Sequence, residues 1–271
     1  MKKLALTSLL AMFAVSGAHA ANVMYGNPLY LPSAGHFYSV TTAGTHTEGE
    51  TPWGISEEFG YGITDRFAVQ LSTSATENSN FDYMSWDDFG LDLAYRVIDD
   101  GGWKLDIVGA YTVDPVWGDH RPFLKQEDTS YTWTAGVRGG YVGDGWTIAG
   151  HAAFNYWNTK SFNWSESAGE QGVHSLVLGL DGQFVIDQNW NLIAGVEYSG
   201  ILDDEYRGVP EIKVKNAGSW DGYFGVNYNF DATKYIGAYV AGSMNHLGGD
   251  EHDEWKFDHG FGYGIQFGID F

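Results

Sequence analysis

The chain has 271 residues and no cysteine, and its 14 Lys and Arg stand against 35 Asp and Glu, a formal net charge of −21. That balance excludes a surface built as a whole for nucleic acid or anionic headgroups. The missing cysteines exclude a disulfide framework and a lipid-modified N-terminal cysteine. High net charge often means disorder, but 16% aromatic and 44% hydrophobic residues exclude it here.

Residues 1–20 read as a secretory signal peptide. Lys2 and Lys3 make a basic start, Leu4 to Val15 an apolar run, and Ala18-His19-Ala20 a small-x-small cleavage site. The run is too short to span a bilayer as a helix. Cleavage after Ala20 leaves about 250 residues in one domain, with 12 bases against 35 acids, a net charge of −23. Residues 21–34, with Pro28 and Pro32, lack strand character and form a lead-in.

From residue 35 the pattern has period two, which places alternate side chains on opposite faces of a strand. The first two segments, about 35–46 and 53–63, alternate weakly. Glu57 falls among Ile55, Phe59 and Tyr61, so either it sits at a rim or a bulge shifts the register. Then come Phe67, Val69 and Leu71; Phe89, Leu91, Leu93, Tyr95 and Val97; and Trp103, Leu105, Ile107 and Tyr111. Similar rows follow over Tyr131–Tyr141, Trp146–Tyr156, Leu176–Ile186, Trp190–Tyr198 and Trp220–Phe230. The last row is Phe257, His259, Phe261, Tyr263, Ile265, Phe267, Ile269 and Phe271, with small or polar residues between from Asp258 to Asp270.

Short turn-type segments at 64–66, 98–102, 143–145, 187–189 and 231–234 alternate strictly with long polar stretches at 47–52, 77–86, 114–130, 159–172, 201–218 and 247–257. Five short turns and six long connections join twelve strands. No stretch after residue 20 approaches the roughly 20 apolar residues of a spanning helix, but alternating strands dilute hydropathy, and the mean of −0.25 is what such dilution produces.

The final alternating strand resembles the assembly signal of the outer-membrane β-barrel superfamily of Gram-negative type, porin-like, with Tyr263, Ile265, Phe267, Ile269 and Phe271 as the matching residues. The resemblance implies a closed antiparallel transmembrane β-barrel over 35–271, with short periplasmic turns and long extracellular loops. It makes 21–34 a periplasmic lead-in that partly plugs the barrel mouth. It also implies export to the outer membrane, recognition by the barrel-assembly machinery, and contact with outer-membrane lipid and lipopolysaccharide. Trp103, Trp146, Trp190 and Tyr235 each follow a short turn and are expected at the periplasmic interface. A soluble β-sandwich is the rival fold, and would bury those aromatics.

The inward set should select any transported solute. By the alternation it includes Glu58, Gln70, Asp88, Asp92, Arg96, Lys104, Asp106, Arg138, His151, Asp181, Gln183, Glu197 and Asp221. Acids outnumber bases, which favours cations or neutral polar solutes. The expectation is a small passive channel for small hydrophilic solutes. Its selectivity candidates are Glu58, Asp92, Arg96, Lys104, Asp106, Arg138, Asp181 and Glu197. A bland alternative pairs Arg96, Lys104 and Arg138 with Asp92, Asp106 and Asp181 as a brace. Inward Gly225, Gly262, Gly264 and Gly268 leave volume for a passage, or let strands bend. The alternative function is a non-conducting structural or surface-interaction barrel.

Enzyme chemistry has little support. His174 and Ser175 are adjacent and so point to opposite faces, and no Gly-x-Ser-x-Gly elbow appears. An outer-membrane lipid hydrolase is thus the weakest reading. His246, Asp250, Glu251, His252, Asp253, Glu254 and His259 match no metal spacing. Such acidic loops are solvated, or hold lipopolysaccharide phosphates through bridging divalent cations. No cofactor and no metal are expected.

Overall fold

A computed structural model describes residues 27–46, 53–78, 83–117, 126–161, 171–203, 217–246 and 256–271. The expected signal peptide and the acidic residues at 204–205 and 250–254 lie outside them.

Twelve strands follow one another: β1 (Phe37–His46), β2 (Gly54–Thr64), β3 (Phe67–Asn78), β4 (Tyr83–Asp100), β5 (Trp103–Trp117), β6 (Gln126–Val142), β7 (Trp146–Ser161), β8 (Gln171–Val185), β9 (Trp190–Ile201), β10 (Gly218–Asn229), β11 (Lys234–His246) and β12 (Lys256–Asp270). Each pairs antiparallel with its sequence neighbour, and β1 pairs with β12, so the sheet is a closed barrel. Closure leaves no open edge, the condition for a sheet in hydrocarbon. Twelve strands about 4.8 Å apart and tilted about 40° enclose a cylinder about 24 Å across between backbones.

The seam is sealed at its end by Phe271, whose N–H donates to the Phe37 carbonyl while its own carbonyl accepts from the Phe37 N–H, both at 2.9 Å. Its ring joins Phe37, Phe59 and Tyr61 on the outer face. Deleting Phe271 is therefore expected to lower the yield of inserted barrel, read as heat-modifiable mobility in membrane fractions. Unchanged yield would refute that role.

The period-two rows sort as the alternation requires. On β4, Phe89, Leu91, Leu93 and Tyr95 are 41–49% exposed, while Asp92, Ala94 and Arg96 between them are buried. The apolar row faces outward and the polar row inward, the reverse of a soluble core. Trp103, Trp146 and Trp190 stand outward at the short-turn ends. Tyr235 does not. It is fully buried and lies over Gly268 on the inner wall. It stands second in β11, one position out of phase with the outward Ile236, so its place after a short turn misleads.

Glu57 needs no bulge. The β1–β2 register runs unbroken from Phe37↔Tyr61 to Gly44↔Gly54. Glu57 points outward and accepts from the Ser39 and Thr41 hydroxyls on β1, each at 2.5 Å. Two charge-assisted hydrogen bonds answer a carboxylate on an otherwise apolar face.

The strands reach farther into the long connections than the alternation suggests. β5 and β6 remain paired out to Trp117↔Gln126, through Pro115↔Thr129. Pairing continues where the apolar pattern has ended, because backbone ladders do not need it. At the other end the turns are tight. Gly101 and Gly102 have φ of 52° and 91°, values only glycine adopts without strain. Asp187 accepts from the N–H groups of Asn189 and Trp190. Asp231 accepts from the N–H and hydroxyl of Thr233, which hold its carboxyl below the usual range.

Candidate functional site: the inner wall

Hydrogen-bonded register places one inward residue of each strand beside one of the next. Arg96, Asp106, Arg138, His151, Gly179, Glu197, Asp221 and Ser243 are successive partners from β4 to β11. The row climbs. Arg96 lies four residues from the short-turn end of β4, and Ser243 nine from that of β11. This stagger is the shear that closing a barrel demands. Its effect is a spiral that begins with bases low in the lumen and ends with acids high in it.

At the bottom, fully buried Asp106 accepts from two guanidinium groups. Arg96 reaches it with Nε at 2.8 Å and Nη2 at 3.1 Å, and Arg138 with Nε at 3.2 Å and Nη2 at 2.5 Å. Farther along, the His151 ring lies over Gly179. Its Nδ1 is 3.0 Å from Asp181 and its Nε2 is 2.9 Å from Glu197. Tyr223 donates to the other Asp181 oxygen at 2.9 Å. Asp221 accepts from Ser219 and Ser243.

The expected pairing is thus redistributed. Arg96 and Arg138 share one carboxylate, Asp106. Lys104 turns to Asp99 near the short turn at 2.5 Å, and Asp181 pairs with imidazole and phenol rather than arginine. Lys104 therefore belongs to the rim. Asp99 lies directly opposite it in the register, which is why the closer acid wins.

Glu58 and Asp92 stand apart. Both are inward and buried, and no Arg or Lys pairs with either among the described residues. Glu58 is 7% exposed, and its Oε2 is buried without a hydrogen-bond partner. Asp88, on the same wall, accepts from Ser74 at 2.7 Å. This sector, β2 to β4, lies across the lumen from the acids of β8 to β10.

Several inward glycines hold rings rather than empty volume, Gly264 and Gly268 among them, while Gly225 meets Ile193 instead. A Cβ on Gly60 would lie 2.0 Å from the Tyr38 ring, on Gly195 2.4 Å from Tyr223, and on Gly264 2.3 Å from Tyr239 Oη. Each aromatic lies flat on a glycine of a neighbouring strand instead of projecting into the lumen. These tyrosines line the inner wall, and the charge pattern overlooked them. The signal was available as an inward Tyr opposite an inward Gly.

Residues 27–33 lie inside the short-turn mouth. Leu29 is 1% exposed, and its carbonyl accepts from Arg96 Nη2 at 2.6 Å. Tyr30 donates to Asp270 at 3.0 Å and packs edge-on against Tyr38. Leu31 packs on Ala94 and Val108, and the Pro32 and Ser33 carbonyls lie against Gly62.

A closed sheet with an apolar exterior and a polar interior is matched by solved structures over nearly its whole length. An outer membrane channel from Pseudomonas putida F1 superposes with a TM-score of 0.57 at 13% identity, over 89% of this chain and 97% of that one. The chain has the fold of an outer-membrane β-barrel. The translocator domain of autotransporter NalP from Neisseria meningitidis matches this barrel with a TM-score of 0.55 at 13% identity, over 97% of each chain. The NanC porin matches with 0.53 at 11% identity, over 86% of this chain and 98% of that one. No family model and no curated protein matches the sequence.

Proposed function

We propose that this barrel resides in the outer membrane, after export through a cleaved signal peptide, as a passive channel for small hydrophilic solutes with cations preferred. The observation that carries the reading is the polar inner wall. Among the described residues its acids outnumber its bases, and the carboxyl groups of Glu58 and Asp92, with no base beside them, add negative charge to the lumen once ionised. Asp106, Asp181 and Glu197 are already engaged, so they contribute less to selectivity. A porin and a channel share the fold, which is consistent with conduction. Outside, the barrel contacts lipid and lipopolysaccharide, and the barrel-assembly machinery reads its last strand.

The test is single-channel conductance of the refolded barrel in a planar bilayer under a salt gradient. Cation-selective steps are expected, and in alkaline buffer, where both carboxyls are ionised, Glu58→Gln with Asp92→Asn should move the reversal potential toward zero. An unchanged potential would exclude those residues as the source of selectivity.

A second reading, a non-conducting structural or surface-interaction barrel, draws on the packed short-turn end. There Arg138, Asp106, Asn191, Asn227 and Tyr235 are all fully buried. Silence from a folded barrel freed of its lead-in would favour it. Catalysis is the weakest reading. Both ring nitrogens of His151 face carboxylates. His174 meets Asp203 on the outer face, where it stacks on Tyr156, while Ser175 points the other way.

A further inference from the structure

We infer that residues 27–33 are a removable plug that shuts the periplasmic mouth, and that solute passes only when they swing out about Gly35. The inference rests on the channel reading above and adds its control element. The segment touches the inner faces of β12, β1, β2, β4 and β5 through Tyr30, Leu31, Pro32, Ser33 and the Leu29 carbonyl. That arc is about half the circumference, at the level where Arg96, Asp106 and Arg138 already narrow the lumen.

Its attachments are of the kind that release without breaking the barrel. The Leu29 and Tyr30 N–H groups bond to Asn27 of the same segment, not to a strand. Its polar anchors to the wall include two side-chain bonds, from Arg96 to the Leu29 carbonyl and from Tyr30 to Asp270. Arg96 keeps Asp106 when Leu29 leaves, so no buried charge is stranded. Between the plug and β1 stands Gly35, at a φ of 82° with no atom within 4 Å of where its Cβ would be. A swing about it gives up the bonds from its N–H to the Gly62 carbonyl at 2.8 Å and from the Ala34 N–H to Asp65 at 3.1 Å. A residue without Cβ in open space can absorb the dihedral change that a hinge needs.

The chain has no cysteine, so a disulfide lock is clean. Leu31→Cys with Ala94→Cys joins two side chains in contact, and Gly62→Ala puts a Cβ 2.0 Å from the Ser33 carbonyl and evicts the segment. In planar bilayers the oxidised pair should lose its conductance steps and regain them in reductant. Gly62→Ala should open more often than the wild-type barrel. Equal conductance of oxidised, reduced, Gly62→Ala and wild-type barrels would overturn the plug and leave the channel reading standing. Silence from all four, with heat-modifiable mobility intact, would overturn both. Failure of the disulfide to form would refute the docked position itself.

Discussion

Replacing Asp106 with Ala is expected to lower the unfolding free energy by about 3–5 kcal/mol, the largest loss from any single charge in the barrel. The carboxylate is fully buried and accepts four hydrogen bonds from Arg96 and Arg138. Without it two buried guanidinium groups face each other across β5. The penalty comes from those stranded charges more than from the attraction lost. Asp106→Asn keeps the shape and two lone pairs but not the charge, so it should fall between wild type and Ala. Urea unfolding of the refolded barrel in lipid vesicles measures both. A loss under about 1 kcal/mol for Ala would mean that the arginines find water or other partners on relaxing.

Most of the architecture was legible because a barrel of the outer-membrane type imposes a severe rule on sequence. Every outward position within the apolar band must be greasy, so strands such as β4 and β12 announce themselves by period alone. The alternation of short and long connections then supplied the strand count. Where the rule relaxes, legibility fell. β1 is weak because its outward row is Phe37, Ser39, Thr41 and Ala43, and the hydroxyls serve Glu57 across the strand pair. The extensions at 114–117 and 126–129 carry no apolar pattern, and backbone pairing continues through them without one. β4 hides an irregularity between Arg96 and Ile98, which leaves Val97 and Ile98 both exposed.

The site was half legible. The inward charges could be enumerated by parity, but not paired, since pairing depends on the stagger between strands. Arg138 meets Asp106 and His151 because register puts them side by side; nothing local in the sequence states that register. His151 could be placed only as one of the inward set, and its carboxylates arrive from β8 and β9, 30 and 46 residues away. The lead-in with its two prolines was expected to plug the mouth in part, but its contacts were not legible. That Leu29 would dock beneath Arg96 follows from three-dimensional closure of the mouth.

Changing Gly264 to Val is expected to destabilise the barrel by about 1–3 kcal/mol, the usual penalty for forcing bulk into a packed site, and to narrow the lumen. Gly264 pairs with Tyr239 on one side and with Gly44 on the other. The Tyr239 ring lies across Gly264, and its Oη reaches a point 2.6 Å from where a Gly44 Cβ would be. A side chain at 264 lifts that ring off the wall and tips it toward the axis, where it obstructs rather than lines. Tyr239→Ala in the same chain removes the obstruction, so the two changes should couple in a double-mutant cycle by at least about 0.5 kcal/mol. Rescue stays partial, because the new Cβ still approaches the Ala43 carbonyl at 2.5 Å. Strict additivity would show that the ring does not depend on the glycine. Coupling, together with recovery of conductance in the double variant, would establish that inner-wall glycines keep this lumen open by giving its tyrosines somewhere to lie.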